Sequence, residues 1–310
     1  MKHGKRISAK EKEKKMKKVI FRGAASALVT PMNEKGVDYD ALERLINWQI
    51  DEGIDGLVIC GTTGECATLS DEEHREVFKK AMDFSGHRVP MIAGTGSNDT
   101  AYAIELTKVA YDMGYDAGLL VSPYYNKTTQ AGLIAMYTAI ADSSPMPEIL
   151  YNVPPRTGLN IEPRTYEKLG DHPNIVGIKE ANGDMEKIVE TMAYAGDKLC
   201  LWSGEDGMIT PMLSMGADGV ISVLSNILPK KTSELCHAYF RGDVKKSAEM
   251  QKELTPLIKM LFCETNPIPV RAAVAAMGFG ENYLRLPLVP MTEPNRQKML
   301  QLMREQGINV

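Results

Sequence analysis

Four short apolar runs in this sequence end in side chains able to do chemistry. They close in Gly61-Thr62-Thr63-Gly64-Glu65, in Pro123-Tyr124-Tyr125-Asn126, in Tyr151-Asn152-Val153-Pro154 with Arg156 close behind, and in Lys179-Glu180. Lys179 comes first. Strand alternation sends Gly177 and Lys179 to one face and Val176 and Ile178 to the other, so an inward Lys179 would find space left beneath it by Gly177. A lysine at its ordinary pKa of about 10.4 is neutral only about one part in 2,500 at pH 7. Desolvation would lower that pKa, and a neutral amine attacks a ketone to begin a Schiff base. A salt bridge to Glu65 or Glu180 is the structural alternative.

Forming and dehydrating a carbinolamine requires a proton donor and acceptor. None of His3, His74, His87, His172 and His237 closes an apolar run. Tyr151 does, and a phenol can shuttle protons when hydroxyls such as those of Thr62 and Tyr125 relay them. Each of these groups taken singly is also compatible with ordinary packing.

The elements that must position these residues are legible in the pattern. Eight apolar stretches, AASALVTP, DGLVICGTTG, PMIAGTG, AGLLVSPYY, EILYNVP, NIVGIKEA, LCLWSGED and DGVISVLSN, read as strands. Their continuous rather than alternating apolar character suits parallel strands buried on both faces. Amphipathic stretches such as DYDALERLINWQIDEG, with Leu42, Leu45, Ile46 and Ile50 on one stripe, lie between them and stop at glycines. The alternation predicts an α/β chain, a (β/α)8 TIM barrel whose chemistry sits at the C-terminal ends of the strands. After Asn226 the strand signal stops and helical spacing continues to the end. The division expected is a basic tail over 1–18, the barrel over 19–228 and a C-terminal helical extension over 229–310.

In this order, GTTGE, PYYN, YNVPxRTG, GIKEA and GVISV resemble the 4-hydroxy-tetrahydrodipicolinate synthases, also called dihydrodipicolinate synthases, and TNPIPVRAA and RLPL extend the likeness into the helical part. The resemblance implies that Lys179 binds pyruvate covalently, Tyr151 transfers protons, and Thr62 with Tyr125 completes the relay, Tyr125 reaching the site of a neighbouring subunit. It also implies that Thr63 and the backbone around Ile221 hold pyruvate, that Gly204 lines the mouth, and that Arg156 receives the carboxylate of L-aspartate 4-semialdehyde. A planar guanidinium suits that last task. The expectation is a cytoplasmic lyase of lysine and diaminopimelate biosynthesis, assembled as a homotetramer, a dimer of dimers.

Two other readings stay open at this point. Sialic-acid lyases and sugar-acid aldolases share the lysine and tyrosine but typically lack an arginine in YNVPxRTG, and a non-catalytic binding protein could retain the scaffold. Lysine-inhibited relatives bind the amino acid at positions matching Cys66, Ala67, Asp71, His74, Asn98, Tyr102 and Tyr124. They usually carry a glutamate where Tyr102 stands and often a histidine where Asp71 stands, so weak or absent inhibition by lysine is expected.

Composition narrows the remaining classes. The 310 residues are 44% hydrophobic and 25% charged, with a formal net charge of -4, which gives no basic field to draw nucleic acid. The first eighteen residues are locally basic and lack the apolar core of a signal peptide, so they read as a solvated extension that stays in the mature chain. No run approaches the roughly 18 apolar residues of a membrane span. Cys60, Cys66, Cys200, Cys236 and Cys263 show no CxxC spacing, which suits a reducing compartment rather than disulfides or zinc. Gly94-Thr95-Gly96 begins like a dinucleotide loop, but Asp99 holds the place of the third glycine, and Trp48 and Trp202 read as packing residues. The expectation is therefore no cofactor and no metal.

Overall fold

The computed structural model describes residues 18–310, so the basic tail expected over 1–18 lies, but for Lys18, outside the described residues. Among the described residues the strands are β1 (Gly23–Ala27), β2 (Met32–Asn33), β3 (Gly36–Val37), β4 (Gly56–Ile59), β5 (Met91–Gly94), β6 (Ala117–Val121), β7 (Glu148–Asn152), β8 (Ile175–Glu180), β9 (Cys200–Ser203) and β10 (Gly219–Ser222). All but β2 and β3 close into one barrel in the order β1-β10-β9-β8-β7-β6-β5-β4. Neighbouring barrel strands are parallel, with helices on the connections, as in a TIM barrel. Each of the eight apolar runs holds one barrel strand. The antiparallel β2–β3 hairpin leaves no mark in the sequence, because two residues per strand are too few for any periodicity to show.

Two apolar layers explain why the strands are not alternating. Ala25, Val58, Ile92, Leu119, Ile149, Val176, Trp202 and Ile221 fill the barrel interior. Leu57, Leu120, Leu150, Ile178 and Leu201 face outward and pack with Leu45, Phe78, Leu106 and Tyr137 of the surrounding helices. Water is excluded from both faces. Phe21 stacks on Trp202 at 5.0 Å between centroids, and the indole Nε1 donates to the Phe21 carbonyl at 3.2 Å. Closure between β1 and β10 pairs Gly23 with Gly219, where a Cβ on Gly219 would stand 1.8 Å from the Gly23 carbonyl oxygen. Only glycine permits that seam.

Caps fix where helices begin. The Asp38 side chain accepts from the Ala41 amide ahead of the helix Tyr39–Asp51, and Ser70 with Glu73 forms a capping box on Asp71–Ser85. After the barrel come the helices Pro229–Phe240, Val244–Leu261, Ile268–Ala276 and Glu293–Glu305. They pack on the barrel. Gln251 donates to the Asp206 carbonyl at 2.9 Å and accepts from the Thr210 amide at 3.2 Å, while Arg285 grips Glu73 and donates to the Thr68 carbonyl at 2.7 Å.

One polar group in the barrel wall is out of place. Glu148 opens β7 fully buried, and among the described residues neither its carboxylate oxygens nor the nearby Tyr137 hydroxyl has a hydrogen-bond partner. Burial pushes the carboxyl from its ordinary 4.5 up to about 9. Between those values the folded chain holds a proton that the unfolded chain has released, so stability falls as pH rises through this window. Glu148→Gln removes the titration without changing shape. Its melting temperature should exceed that of the parent by a margin that widens by several degrees from about pH 6 to about pH 9. A margin independent of pH in a fluorescence melt would show that Glu148 is already ionised in the fold.

Candidate active site

Register brings Tyr151 of β7 beside Lys179 of β8, and Lys179 beside Trp202 of β9. Lys179 is only 6% exposed, and its Nζ lies 4.2 Å from the centroid of the Tyr151 ring. Two expectations about its surroundings need correction. The register between β7 and β8 shifts at Glu148 and Ile149, and Val176 joins the barrel interior with Ile149 instead of turning outward with Ile178. Nor does Gly177 leave a vacancy under the lysine, since a Cβ there would meet the Trp202 ring at 2.4 Å. The indole fills that volume.

Burial pulls the Lys179 amine from 10.5 down to about 7, with the Asp206 carboxylate acting upward and the Arg156 guanidinium downward. Neither carboxylate weighed from the sequence pairs with it. Glu65 faces Arg271 at 3.6 Å, both side chains 1% exposed. Glu180 points to the outer side of the wall, where it accepts from Asn152 Nδ2 at 2.9 Å and from the Tyr166 hydroxyl at 3.2 Å. The carboxylate that acts on Lys179 is Asp206, which no motif marks in the sequence. One of its oxygens accepts from the Val223 and Leu224 amides at 3.0 and 2.9 Å. The run LCLWSGED displayed it, but its spacing could not say whether Glu205 or Asp206 turns inward.

Tyr151 is 7% exposed, and burial pushes its phenol up to about 12 against the charge of Arg156 and a hydrogen bond with Thr62. The tight turn after β4 presents both threonines, with Gly64 donating to the Gly61 carbonyl and Glu65 to that of Thr62. Thr63 is buried and accepts from Asn266 Nδ2 at 3.0 Å. Arg156 sits in the short helix Pro154–Thr157 after β7, its Nη2 donating to the Asn266 carbonyl at 2.8 Å. Gly204 follows β9 and donates its amide to the Glu180 carbonyl at 2.7 Å, while Ile221 lies buried in the interior of β10. Tyr125 does not join them: it stands 92% exposed with a φ of 67° on the segment after β6. A cavity of about 310 Å³ opens among Thr62, Val153, Arg156, Asn266, Cys66 and Tyr124. A larger groove of about 540 Å³, bordered by Trp48, Lys230, Lys231 and Phe279, contains none of these groups.

Among the described residues no cluster of three His, Cys, Asp or Glu is placed to hold a metal ion, and no helix is long and apolar enough to cross a membrane. Among the described residues Cys60, Cys66, Cys236 and Cys263 are free thiols. Thr95 in the GTG turn hydrogen-bonds Thr107 at 3.0 Å, a wall contact on the helix side.

An amine held near neutrality beside a buried phenol, at the strand ends of a parallel barrel, is the arrangement of a class I aldolase-type enzyme. The sequence profile of the dihydrodipicolinate synthetase family matches residues 20–306. The 4-hydroxy-tetrahydrodipicolinate synthase of Acetivibrio thermocellus is 50% identical over 94% of this chain and 100% of its own. Among solved structures, a monomeric dihydrodipicolinate synthase variant superposes with a TM-score of 0.92 at 41% identity, covering 94% of this chain and 98% of its own. The chloride-inhibited Acinetobacter baumannii enzyme, complexed with pyruvate, gives a TM-score of 0.91 at 44% identity over 93% of this chain and 99% of its own. The chain belongs to the dihydrodipicolinate synthetase family.

The electrostatics of Lys179 are open to test by its pH profile. Only the neutral amine attacks, so the rate of borohydride-trapped adduct formation with pyruvate should rise from about pH 6 to about pH 8 and then level. Asp206→Asn removes a charge that favours the ammonium form, so the midpoint should move to lower pH. An unmoved midpoint, read by intact mass over the pH series, would take Asp206 out of the field at Lys179.

Proposed function

We propose that this chain condenses pyruvate with L-aspartate 4-semialdehyde through a Schiff base on Lys179, the step towards diaminopimelate and lysine. The observation that carries it is the Lys179 amine, buried against Tyr151 with Arg156 anchored close by. The amine adds to the keto carbon of pyruvate, and Tyr151, coupled to Thr62, passes the protons that let water leave. Loss of a methyl proton gives an enamine whose carbon attacks the aldehyde. The amino group of the second substrate then displaces Lys179, closing the ring and returning the free amine. Thr63 and the backbone at Ile221 hold the pyruvate carboxylate beside Gly204, and Arg156 holds that of the semialdehyde in a forked pair.

Arg156 favours the semialdehyde over a sugar acid, because a guanidinium in this position recognises a second carboxylate and a polyhydroxyl chain offers none there. Tyr125, exposed on one protomer, supplies its hydroxyl to the relay of a partner across a two-fold interface, and two such dimers make a homotetramer of the cytoplasm. Borohydride with pyruvate should label Lys179 in the parent and nothing in Lys179→Ala. Arg156→Ala should keep the label while raising the KM for the semialdehyde more than about tenfold. Turnover of N-acetylneuraminate but not of the semialdehyde would transfer the assignment to sugar-acid cleavage, and a fully active monomer in sedimentation would remove the shared relay.

Regulation by lysine is a separate matter. Tyr102 donates its hydroxyl to Asp71 at 2.8 Å, and Arg75 Nε donates to the other Asp71 oxygen at 2.7 Å. Asp71 is therefore already matched by a cation and does not restore the negative charge missing at Tyr102. Burial also pulls His74 down to about 4, so it stays neutral. An ammonium ligand would lack a counter-charge, a loss of more than about tenfold in affinity. Initial rates across a lysine titration should stay flat through the submillimolar range; half-inhibition within it would show a working pocket.

A further inference from the structure

We infer that Asn266 is a positioning residue that sets the direction of the Thr63 hydroxyl proton and ties it to the anchor of Arg156, so that one residue of the C-terminal segment aligns the two carboxylate-holding groups. The inference rests on the proposed assignment of the pyruvate carboxylate to Thr63. Asn266 is 7% exposed and precedes the helix Ile268–Ala276. Its side-chain Nδ2 donates to Thr63 Oγ1 at 3.0 Å, and its backbone carbonyl accepts from Arg156 Nη2 at 2.8 Å. Asn266 and Arg156 line the cavity of about 310 Å³ that also reaches Thr62 and Val153, and Thr63 follows Thr62 in the same turn.

The chemistry follows from what each group can donate. A threonine hydroxyl has one proton and two lone pairs, while a carboxylate can only accept. Thr63, itself 3% exposed, can therefore hold a carboxylate only by donating. With Asn266 Nδ2 donating into one of its lone pairs, the hydroxyl proton is left for another acceptor, and the bond polarises the hydroxyl as a donor. Among the described residues the Thr63 hydroxyl donates to no protein group, so that proton is available to an incoming carboxylate. The opposite polarity, an acceptor in place of Nδ2, would turn the proton away from the substrate.

Asn266→Asp is the discriminating change because it keeps the shape and reverses the polarity. The pyruvate concentration for half-maximal borohydride labelling of Lys179 should rise more than about tenfold in this variant, and by several-fold in Asn266→Ala. Asn266→Ala retains the backbone carbonyl under Arg156, so its KM for the semialdehyde should stay within about twofold while that for pyruvate rises. In a Thr63→Val background, Asn266→Ala should add less than about twofold, since its route to the substrate is gone. An unlabelled parent protein would defeat the Schiff-base reading itself. A labelled parent with unchanged half-saturation in folded Asn266→Asp, or an equal rise with and without Thr63, would overturn the role of Asn266 alone.

Discussion

Keeping one amine out of water is the constraint on which the rest of the structure depends. Lys179 is brought from 10.5 to about 7 by burial, not by a neighbouring cation alone. Burial works only if no carboxylate closes on the amine, because an ion pair would restore the ammonium form. The strand meets that condition by its own geometry. Lys179 and Glu180 are consecutive, so pleating turns one toward the barrel mouth and the other toward Asn152 and Tyr166 on the helix side. Asp206, the acid that does act on the amine, spends one oxygen on the Val223 and Leu224 amides, which limits its pull. Trp202 and Phe21 then fill the volume beneath.

Much of this was legible in the sequence because both determinants are local. Continuous apolar runs announce strands buried on two faces, and the residues closing each run fall at the strand ends, which is why Lys179, Tyr151, Thr62 and Arg156 stand out from the sequence alone. What escaped depends on register or on distant segments. The shift between β7 and β8 that sends Val176 inward is a property of two strands together. The Trp202 ring under Gly177 comes from a third strand whose stagger no single run records. Asp206 and Asn266 carry no spacing signal, since the first is one of two adjacent acids and the second meets Thr63 only after some two hundred residues of chain have wrapped the barrel.

The C-terminal helices are therefore part of the catalytic mouth and not an appendage. Glu65 ends the threonine turn with a φ of 57°, buried, and faces Arg271 at 3.6 Å. Burial raises its pKa, and the opposing influences come from Arg271 and Arg285, both in the C-terminal region. Arg271 belongs to the helix Ile268–Ala276, and its guanidinium is held in turn by the Tyr283 carbonyl at 3.0 Å. A guanidinium keeps its charge even when buried, which a lysine in this place would not be held to do. Breaking such a buried pair costs about 3 to 5 kcal/mol, since the surviving charge is left uncompensated. A barrel stripped of these helices would expose that cost at the one turn that presents Thr62 and Thr63. It would also lose the Asn266 contacts to Thr63 and Arg156, which arise from the same short segment as Arg271. The turn after β4 and the segment before Ile268 thus stabilise each other, and the geometry of the mouth is a product of both.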